Sequence, residues 1–501
     1  MFLSTCFRAL LLRLSILAVM TAFCGCTPIN VLTNHVVMFN ENGRLLDPTG
    51  NIDCNDPPAL CKGRHLSILS YKELNGDQRK DYMKDLLDGL RDYRDSTQSA
   101  ESSSGRGPDD RGKPRLLVFV HGGLNTQKGS VERVEKLAPE IMSAGYYPLF
   151  INWRSSWVFN YFNHLMYIRQ GEKSNFLLGL ISSPFVFAFD LGRGVLRTPL
   201  ILGSQVIEGY QTWSDTHLPY GLDDREKTLK EKYEQSPSGS NSGAIGILIG
   251  EDDRGWADKT LAGISWFVFL PFRLFSIPII DGLGTSAWDN MLRQTQSLIH
   301  TSDEYRDNDP GEMAAHGDLA YVMRELQSEL KNGWEIMLVG HSMGTIVLNE
   351  ILREFPDVPV DNIIYMAAAC SVHDFEQSVI PYLRRNNTTN FYNLSLHHIA
   401  ENRERWEPLK IPYVELSIRG SLLAWLDDFF TNPLTPMDKT LGKYVNFLRT
   451  EQIYSSDLRG RIHQKEFSVG GRFTETNPQK HGDFDRFEFW EERFYRLPPP
   501  Q

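Results

Sequence analysis

The chain has 501 residues, a formal net charge of −11 and 41% hydrophobic residues. This length and apolar content allow a large packed core. The acidic balance argues against nucleic acid as a partner, because nucleic acid binds to basic surfaces. The 6 cysteines are too few and too scattered for a disulfide framework. No C-x-x-C or H-E-x-x-H spacing occurs, so we expect neither a metal nor another cofactor.

Residues 1–26 are typical of a bacterial export signal. Arg8 and Arg13 supply positive charge, and a short apolar run from Leu14 to Ala22 precedes Phe23-Cys24-Gly25-Cys26. The pattern is similar to a lipoprotein signal, in which Cys26 would be the lipidated first residue of the mature chain. Ordinary secretion and a retained anchor are the alternatives. All three place the protein outside the cytoplasm, in the periplasm or at the outer membrane.

Residues 27–114 are predicted to form an N-terminal extension and linker. Thr27 to Lys62 is rich in Asn, Asp, Pro and Gly, which is typical of an irregular tether. Within it, Cys54 and Cys61 either pair in an oxidising compartment or remain two thiols. A strand over His65 to Leu74, a helix over Asp77 to Tyr93 and a surface loop over Ser96 to Lys113 complete the region.

The most informative stretch runs from Trp334 to Val347. Ile336 to Val339 predicts a buried strand, Thr345 to Leu352 has the apolar spacing of a helix, and Gly340-His341-Ser342-Met343-Gly344 lies between them. In a strand–turn–helix context, G-x-S-x-G places its serine on a strained turn where a side chain at either glycine would collide. The helix N–H groups favour negative charge beside Ser342. The motif predicts a nucleophile; the alternative is a structural glycine turn.

With this motif the chain resembles the α/β-hydrolase superfamily, and within it bacterial esterase/lipase-type hydrolases with a G-H-S-M-G turn. The resemblance covers roughly Arg115 to the C-terminus and is interrupted by a large insertion. It implies an α/β fold with a doubly wound, mostly parallel sheet. It also implies a covalent acyl-enzyme mechanism and a catalytic triad in the chain order serine, acid, histidine.

The resemblance further implies an oxyanion hole at His121-Gly122-Gly123-Leu124-Asn125, which follows a strand predicted over Leu116 to Val120. Glycines let backbone N–H groups approach a carbonyl oxygen without obstruction. The Met343 amide is one expected donor, and either Gly123 or Leu124 supplies the other. The expected oxyanion-hole residues are thus Gly122, Gly123, Leu124 and Met343, and the alternative is a plain glycine turn between strand and helix.

For the base we select His481, which lies in a loop beyond the last strand, predicted over Ile462 to Val469. His463 falls within that strand and is expected to point to a face of the sheet. His341, inside the serine motif, is expected to pack or to form hydrogen bonds. An ordinary exposed loop histidine is the alternative for His481.

The acid is less clearly marked. Glu401 is the first choice because it follows a strand predicted over Asn390 to Leu396. Asp374, after the strand predicted over Val360 to Ala369, is an alternative. Asp427 and Asp428 are further alternatives in an apolar setting, where a carboxylate needs a partner.

Domain organisation follows from where the α/β pattern breaks. We expect a core over residues 115–155 and 287–501 and a cap or lid over residues 156–286. Two apolar runs mark the cap, Phe176 to Phe189 and Leu261 to Ile280, with a polar stretch over Asp223 to Gly243 between them. They are interpreted as helices over the site or as a lid that meets a membrane surface; a transmembrane pair is the least favoured reading.

Together these features predict a serine hydrolase of carboxylic esters, with an ester or lipid substrate and membrane association through the lipid anchor and the apolar cap. An acyltransferase is one alternative. The other is a non-catalytic envelope protein that uses the scaffold for binding.

Overall fold

The computed structural model describes residues 29–49, 71–102, 112–169, 172–173, 175–217, 222–235, 244–300, 317–331, 333–406 and 418–498. The export segment with Cys26, and the cysteines Cys54 and Cys61, lie outside the described residues. So does most of the strand predicted over His65 to Leu74.

Eleven strands lie in the described part of the chain. They are β1 Val36–Phe39, β2 Leu45–Leu46, β3 Arg115–Val120, β4 Tyr147–Asn152, β5 Ile168–Arg169, β6 Glu172–Lys173, β7 Gly246–Leu248, β8 Glu335–His341, β9 Asn362–Met366, β10 Asn390–Ser395 and β11 Ile462–Glu466. Nine of them form one sheet in the order β2-β1-β4-β3-β8-β9-β10-β11-β7. Every neighbouring pair is parallel except β1 with β2. The predicted α/β class with a mostly parallel sheet is therefore confirmed.

The helices connect and cover these strands. They are α1 Ile29–His35, α2 Gly76–Ser102, α3 Gln127–Ser143, α4 Trp157–Met166, α5 Phe176–His217, α6 Leu222–Glu234, α7 Trp256–Val268, α8 Leu270–Ile299, α9 Asp318–Leu330, α10 Gly344–Glu354, α11 Val372–Arg385, α12 His398–Arg403, α13 Leu422–Trp425, α14 Tyr444–Thr450, α15 Ser456–Arg459 and α16 Glu492–Tyr495. A π-helical turn, Leu426–Phe430, and a 3₁₀ turn, His481–Arg486, also matter for the site.

The central strands read as continuous apolar runs because side chains on both of their faces are buried. β4 and β9 are buried at every position, and β3 and β8 at all but the first. Such runs are typical of parallel strands covered by helices on both sides. Because β3 and β8 are parallel neighbours, with Val120 opposite Gly340, their carboxyl ends lie side by side. The serine motif and the H-G-G turn therefore meet at one edge of the sheet.

Two strands of the sheet lie in segments where the sequence predicted none. Residues 36–39, assigned to an irregular tether, form β1, which pairs with β4 and extends the sheet. Residues 246–248, assigned to the cap, form β7, which pairs with β11 at the opposite edge. Both strands are short and lie at or near an edge, so neither carries a long apolar or alternating pattern.

Helix ends also differ from prediction. α2 begins one residue before the predicted helix and continues to Ser102, into a segment predicted to be a loop. The aromatic helix predicted over Phe487 to Tyr495 is limited to Glu492–Tyr495. α8 runs without a break across the predicted junction between cap and core at residue 287.

Phe119 of β3 links the sheet to the C-terminal segment. Its ring packs 5.0 Å from Phe489 and 5.8 Å from Phe150, and its side chain is fully buried. We expect Phe119→Ala to lower the free energy of unfolding by about 3–5 kcal/mol, since it removes a core aromatic and leaves a cavity. Urea unfolding followed by circular dichroism measures this. Leu434→Ala, at an exposed position, is the matched control and is expected to change stability by less than about 0.5 kcal/mol.

Candidate active site

Ser342 lies on a strained turn between the end of β8 and the start of α10. Its φ is +52°, in the left-handed region that non-glycine residues rarely adopt. Two backbone hydrogen bonds hold the turn against its neighbour β9. The Ser342 N–H donates to the Met366 carbonyl at 2.8 Å, and the Ala369 N–H donates to the Ser342 carbonyl at 3.1 Å. The surrounding sheet thus enforces a conformation that the residue alone would avoid.

The two glycines of the motif are required by space. A Cβ at Gly340 would lie 2.9 Å from Cδ1 of Leu348, and one at Gly344 would lie 2.2 Å from the carbonyl oxygen of Val120. The start of α10 is therefore pressed against the end of β3. The steric role predicted for these glycines agrees with the contacts.

The H-G-G turn lies directly against the serine. A Cβ at Gly122 would be 2.7 Å from Cβ of Ser342. A Cβ at Gly123 would be 3.4 Å from Sδ of Met343 and 3.6 Å from Cε of Met291, on α8. Absence of side chains at both glycines allows the backbone of this turn to reach the serine.

The amides of Gly123 and Leu124, the two candidate oxyanion donors in the H-G-G turn, differ in their hydrogen bonds. The Leu124 amide donates to the carbonyl of Ser155 at 2.9 Å, so it is already engaged and the prediction that left Leu124 open as a donor is corrected. Within the described part of the chain, the N–H groups of Gly123 and Met343 donate to no protein acceptor. Both remain available to an incoming oxygen atom beside Ser342.

His481 and Ser342 are brought together although 139 positions separate them. Nε2 of His481 lies 2.7 Å from Oγ of Ser342, and both side chains are buried. The His481 backbone is fixed on both sides: its carbonyl accepts a hydrogen bond from Nε2 of His341 at 2.9 Å, and its N–H donates to Oε2 of Glu404 at 2.8 Å. Sequence reasoning missed Glu404, which carries no motif of its own.

Burial keeps the histidines of the site neutral. It lowers the pKa of His481 well below its ordinary value, because a charged imidazolium is poorly solvated there, and the nearby His341 acts in the same direction. Burial also lowers the pKa of His341. A neutral imidazole can accept a proton from a serine hydroxyl.

His121 has a role that the sequence did not reveal. Its Nδ1 donates to the Gly122 carbonyl at 2.7 Å, and its Nε2 accepts from the Trp153 backbone N–H at 3.1 Å. Burial lowers the pKa of His121 to about 3, so the ring stays neutral with one donor and one acceptor. Nδ2 of Asn125 also donates to the Gly122 carbonyl, at 2.8 Å. These bonds shape the turn from outside the reacting centre.

The predicted acid is not hydrogen-bonded to the histidine. Oε1 of Glu401 accepts from the Ser421 hydroxyl, while Oε2 of Glu401 and Nδ1 of His481 are each buried without a hydrogen-bond partner. Burial raises the pKa of Glu401 to about 8. Glu401 and Glu404 lie three positions apart, and Glu404 bonds to the His481 backbone. Glu401 therefore belongs to the same neighbourhood without completing a triad.

The alternative acids are placed elsewhere. Asp374 binds Arg353 at 2.6 Å and Nδ2 of Asn349 at 2.5 Å. Asp427 accepts from the Thr440 N–H at 2.7 Å and from the Asn446 side chain at 2.6 Å. Asp428, in the same π-helical turn, makes no hydrogen bond to His481. His463 stacks on Tyr392 of β10 at 4.7 Å, which agrees with its predicted place on a face of the sheet.

Among the residues that the structure describes, one group of side chains has the composition of a metal site. The ligand atoms of His397, His398 and Glu466 lie within 4.8 Å of one another. Glu466, however, accepts at 2.9 Å from both Nδ1 and the backbone N–H of His398, and at 3.1 Å from the Gly250 N–H. These bonds join the end of β11 to the start of α12. We assign the group to the support of α12, which carries Glu401.

The serine is enclosed. Its side chain is 2% exposed, and the cavity of about 400 Å³ between α5, α8 and the π-helical turn is lined by residues that do not include Ser342 or His481. α8 covers the H-G-G turn through Met291. A substrate therefore needs movement of the covering elements to reach Oγ.

Comparison with known proteins gives no relative. No family model, no curated protein and no solved structure matches the chain. The interpretation of the site therefore depends on its own geometry.

The contact between the two turns predicts the effect of one methyl group. Gly122→Ala places its Cβ 2.7 Å from Cβ of Ser342, and we expect the resulting strain to lower the free energy of unfolding by about 1–3 kcal/mol. Gly482→Ala, where nothing lies within 4 Å of an added Cβ, is the control beside His481. Equal stability of the two variants in thermal unfolding would contradict the contact.

Proposed function

We propose that this protein is a serine hydrolase of carboxylic esters with an α/β-hydrolase fold. The observation that carries the proposal is the 2.7 Å contact between Nε2 of a buried, neutral His481 and Oγ of Ser342, on a turn with a positive φ. A serine hydroxyl becomes nucleophilic when such a base takes its proton. The amides of Gly123 and Met343 support the same conclusion, since neither has a protein acceptor within the described residues and both belong to the turns that meet at Ser342.

The first half of the reaction transfers the acyl group to the enzyme. Oγ of Ser342 attacks the ester carbonyl carbon while its proton passes to Nε2 of His481. The carbonyl oxygen becomes an oxyanion and accepts hydrogen bonds from the N–H groups of Gly123 and Met343. The bond from carbon to the alcohol oxygen then breaks, and His481 returns the proton to the leaving alcohol.

The second half releases the acid. A water molecule attacks the acyl carbon while His481 takes one of its protons. Collapse of the oxyanion breaks the bond to Oγ of Ser342, which recovers its proton from His481. The products are one carboxylic acid and one alcohol. An alcohol acceptor in place of water would make the same residues an acyltransferase.

We propose Glu401 as the group that orients His481. For Nε2 to accept the serine proton, Nδ1 must carry the other hydrogen, and that hydrogen needs an acceptor. Oε2 of Glu401 is a buried acceptor with no partner. Pairing them would require α12 or the His481 turn to move, and it would satisfy two buried polar atoms that are each costly to leave without a hydrogen bond.

The proposed location is the bacterial envelope, after export and lipidation at Cys26. The rival is a non-catalytic envelope protein that uses the fold for binding. The strained serine supports the enzyme, since a binding role gives no reason to keep a reactive hydroxyl on a costly backbone conformation.

A serine-directed fluorophosphonate tests the nucleophile. We expect the wild-type chain to be labelled, Ser342→Ala to lose labelling completely and His481→Gln to react at least about 10³-fold more slowly, because its serine has no base. Ser378→Ala, which alters a buried serine on α11, is the matched control and should label like wild type. Labelling that survives in Ser342→Ala would place the nucleophile elsewhere, and no labelling of the wild type would favour the binding protein.

The acid is tested by the pH profile of ester hydrolysis. Burial holds the pKa of Glu401 at about 8, so its carboxyl is neutral below that pH and charged above it. Only the charged form stabilises the imidazolium, so we expect kcat/KM of the wild type to rise as pH increases through about 8. Glu401→Gln should remove this rise and reduce the rate at pH 9.5 by about 10²-fold or more.

The other carboxylates supply the controls. Asp374→Asn and Asp427→Asn should keep the alkaline rise, since these side chains bind elsewhere. A rise that persists in Glu401→Gln and disappears in either control would assign the orienting role to that aspartate.

A further inference from the structure

The exposed face of α5 is apolar along most of the helix. Six apolar side chains, each 57–80% exposed, recur at intervals of four or seven residues, which places them on one stripe. They are Ile181, Phe185, Phe189, Leu196, Leu200 and Ile207. A helix on the surface of a water-soluble protein normally presents polar side chains there.

The opposite face of α5 carries the polar groups. Asp190 is buried and accepts from the hydroxyls of Ser286 and Tyr161, each at 3.1 Å. Nη1 of Arg197 lies 2.9 Å from Oδ1 of Asp281, on α8. The charged residues between 176 and 207 are Asp190, Arg193 and Arg197, and all three bond to protein groups. α5 therefore presents apolar side chains to its surroundings and polar side chains to the protein, the reverse of a surface helix in a water-soluble protein.

α8 shows the same inversion beside α5. Phe272, Phe275 and Ile279 are exposed, whereas Arg273 and Asp281 are fully buried. The two helices approach closely through glycines. A Cβ at Gly194 would be 2.2 Å from the Pro278 carbonyl oxygen, and one at Gly282 would be 2.6 Å from that of Asp190. Close glycine contacts and internal polar bonds are typical of helix pairs that face lipid.

We propose that this surface, hereafter the apolar face, lies in one leaflet of a lipid bilayer. It consists of the six α5 residues above together with Phe272, Phe275 and Ile279. A bilayer offers no hydrogen-bond partners, so polar groups must turn inward, as they do here. A surface that binds a protein partner normally has a polar rim that forms hydrogen bonds. The exposed stripe of α5 has no charged residue, so it does not fit that pattern.

The contacts of α5 favour a helix that lies on the membrane over one that crosses it. By length and composition, Phe176–Ile207 is the one helix in the described part of the chain able to span a bilayer. Yet it binds the body of the protein at three levels. Asp190 contacts His164 at 3.1 Å, Arg197 donates to the Phe429 carbonyl at 2.6 Å, and Gln205 donates to the Arg419 carbonyl at 3.3 Å.

Residues 190 and 205 are about 22 Å apart along a helix. A segment tied to the protein over most of the thickness of a hydrocarbon core has no free length with which to cross it. α5 therefore runs along the surface, with its apolar face immersed to a depth of about 5–10 Å.

The apolar face is continuous with the site through α8. From Ile279 the same helix reaches Met291, which contacts the H-G-G turn. On this geometry the substrate would be an acyl ester of a membrane lipid. That substrate class rests on the proposed function, whereas membrane embedding does not.

Quenching by lipid tests the proposal on the full-length chain. Phe275→Trp and Met142→Trp each add one indole; Met142 is an exposed apolar residue at the end of α3, away from the apolar face. Each variant is incorporated into phosphatidylcholine vesicles with bromine atoms on the acyl chains, and the wild-type emission is subtracted. We expect the emission added by Phe275→Trp to be quenched at least about 3-fold more strongly than the emission added by Met142→Trp. The difference should persist in 0.5 M salt, because salt screens ionic contacts but not apolar ones.

An N-terminal lipid would tether both variants equally, so it cannot produce this difference. Adding Phe185→Glu and Leu196→Glu to Phe275→Trp should abolish the excess quenching while fluorophosphonate labelling in solution is retained. Equal quenching of the two tryptophan variants overturns the proposal. A second result would also overturn it: light scattering detects a dimer in lipid-free buffer, and the Phe275→Trp emission of that dimer is already shifted to the blue. A second copy of the chain would then cover the apolar face. Labelling reports separately on the proposed function, so the two can fail independently.

Discussion

The site depends on close backbone contact between the ends of two neighbouring strands. β3 and β8 are parallel neighbours whose carboxyl ends lie side by side, so the turns that follow them lie in close contact. Glycines make this contact possible because they have no side chain. The space beside Gly344 is occupied by the carbonyl of Val120, and the space beside Gly122 by the side chain of Ser342. This contact brings the backbone of the H-G-G turn against the side chain of Ser342.

Local steric requirements are what the sequence reveals well. Gly340 to Gly344 could be interpreted because a strained turn restricts residue types, and the central strands could be located because burial on both faces leaves long apolar runs. β1 and β7 could not, since an edge strand of three or four residues has too little pattern to distinguish it from a loop. The strands with the strongest signal are thus the ones that position the serine.

The supporting contacts are hidden for a different reason. Glu404 and His121 act through hydrogen bonds whose partners are distant in sequence or belong to the backbone. No spacing marks such a residue. The chain order serine, acid, histidine that the hydrolase resemblance implies limits the proposed acid to a few carboxylates. Only three-dimensional contacts show that Asp374 and Asp427 already have partners. Glu401 differs from them in having a buried oxygen atom without one.

The position of β7 has a consequence for engineering. It is encoded inside the segment that separates the two halves of the hydrolase-like core, yet it pairs with β11 and closes one border of the sheet. Excision of residues 156–286 to obtain a shorter protein would uncover the hydrogen-bonding groups of β11, which then become a template for intermolecular pairing. It would also sever α8 midway along its length. A shortened protein should instead keep residues 246–248 and the whole of α8.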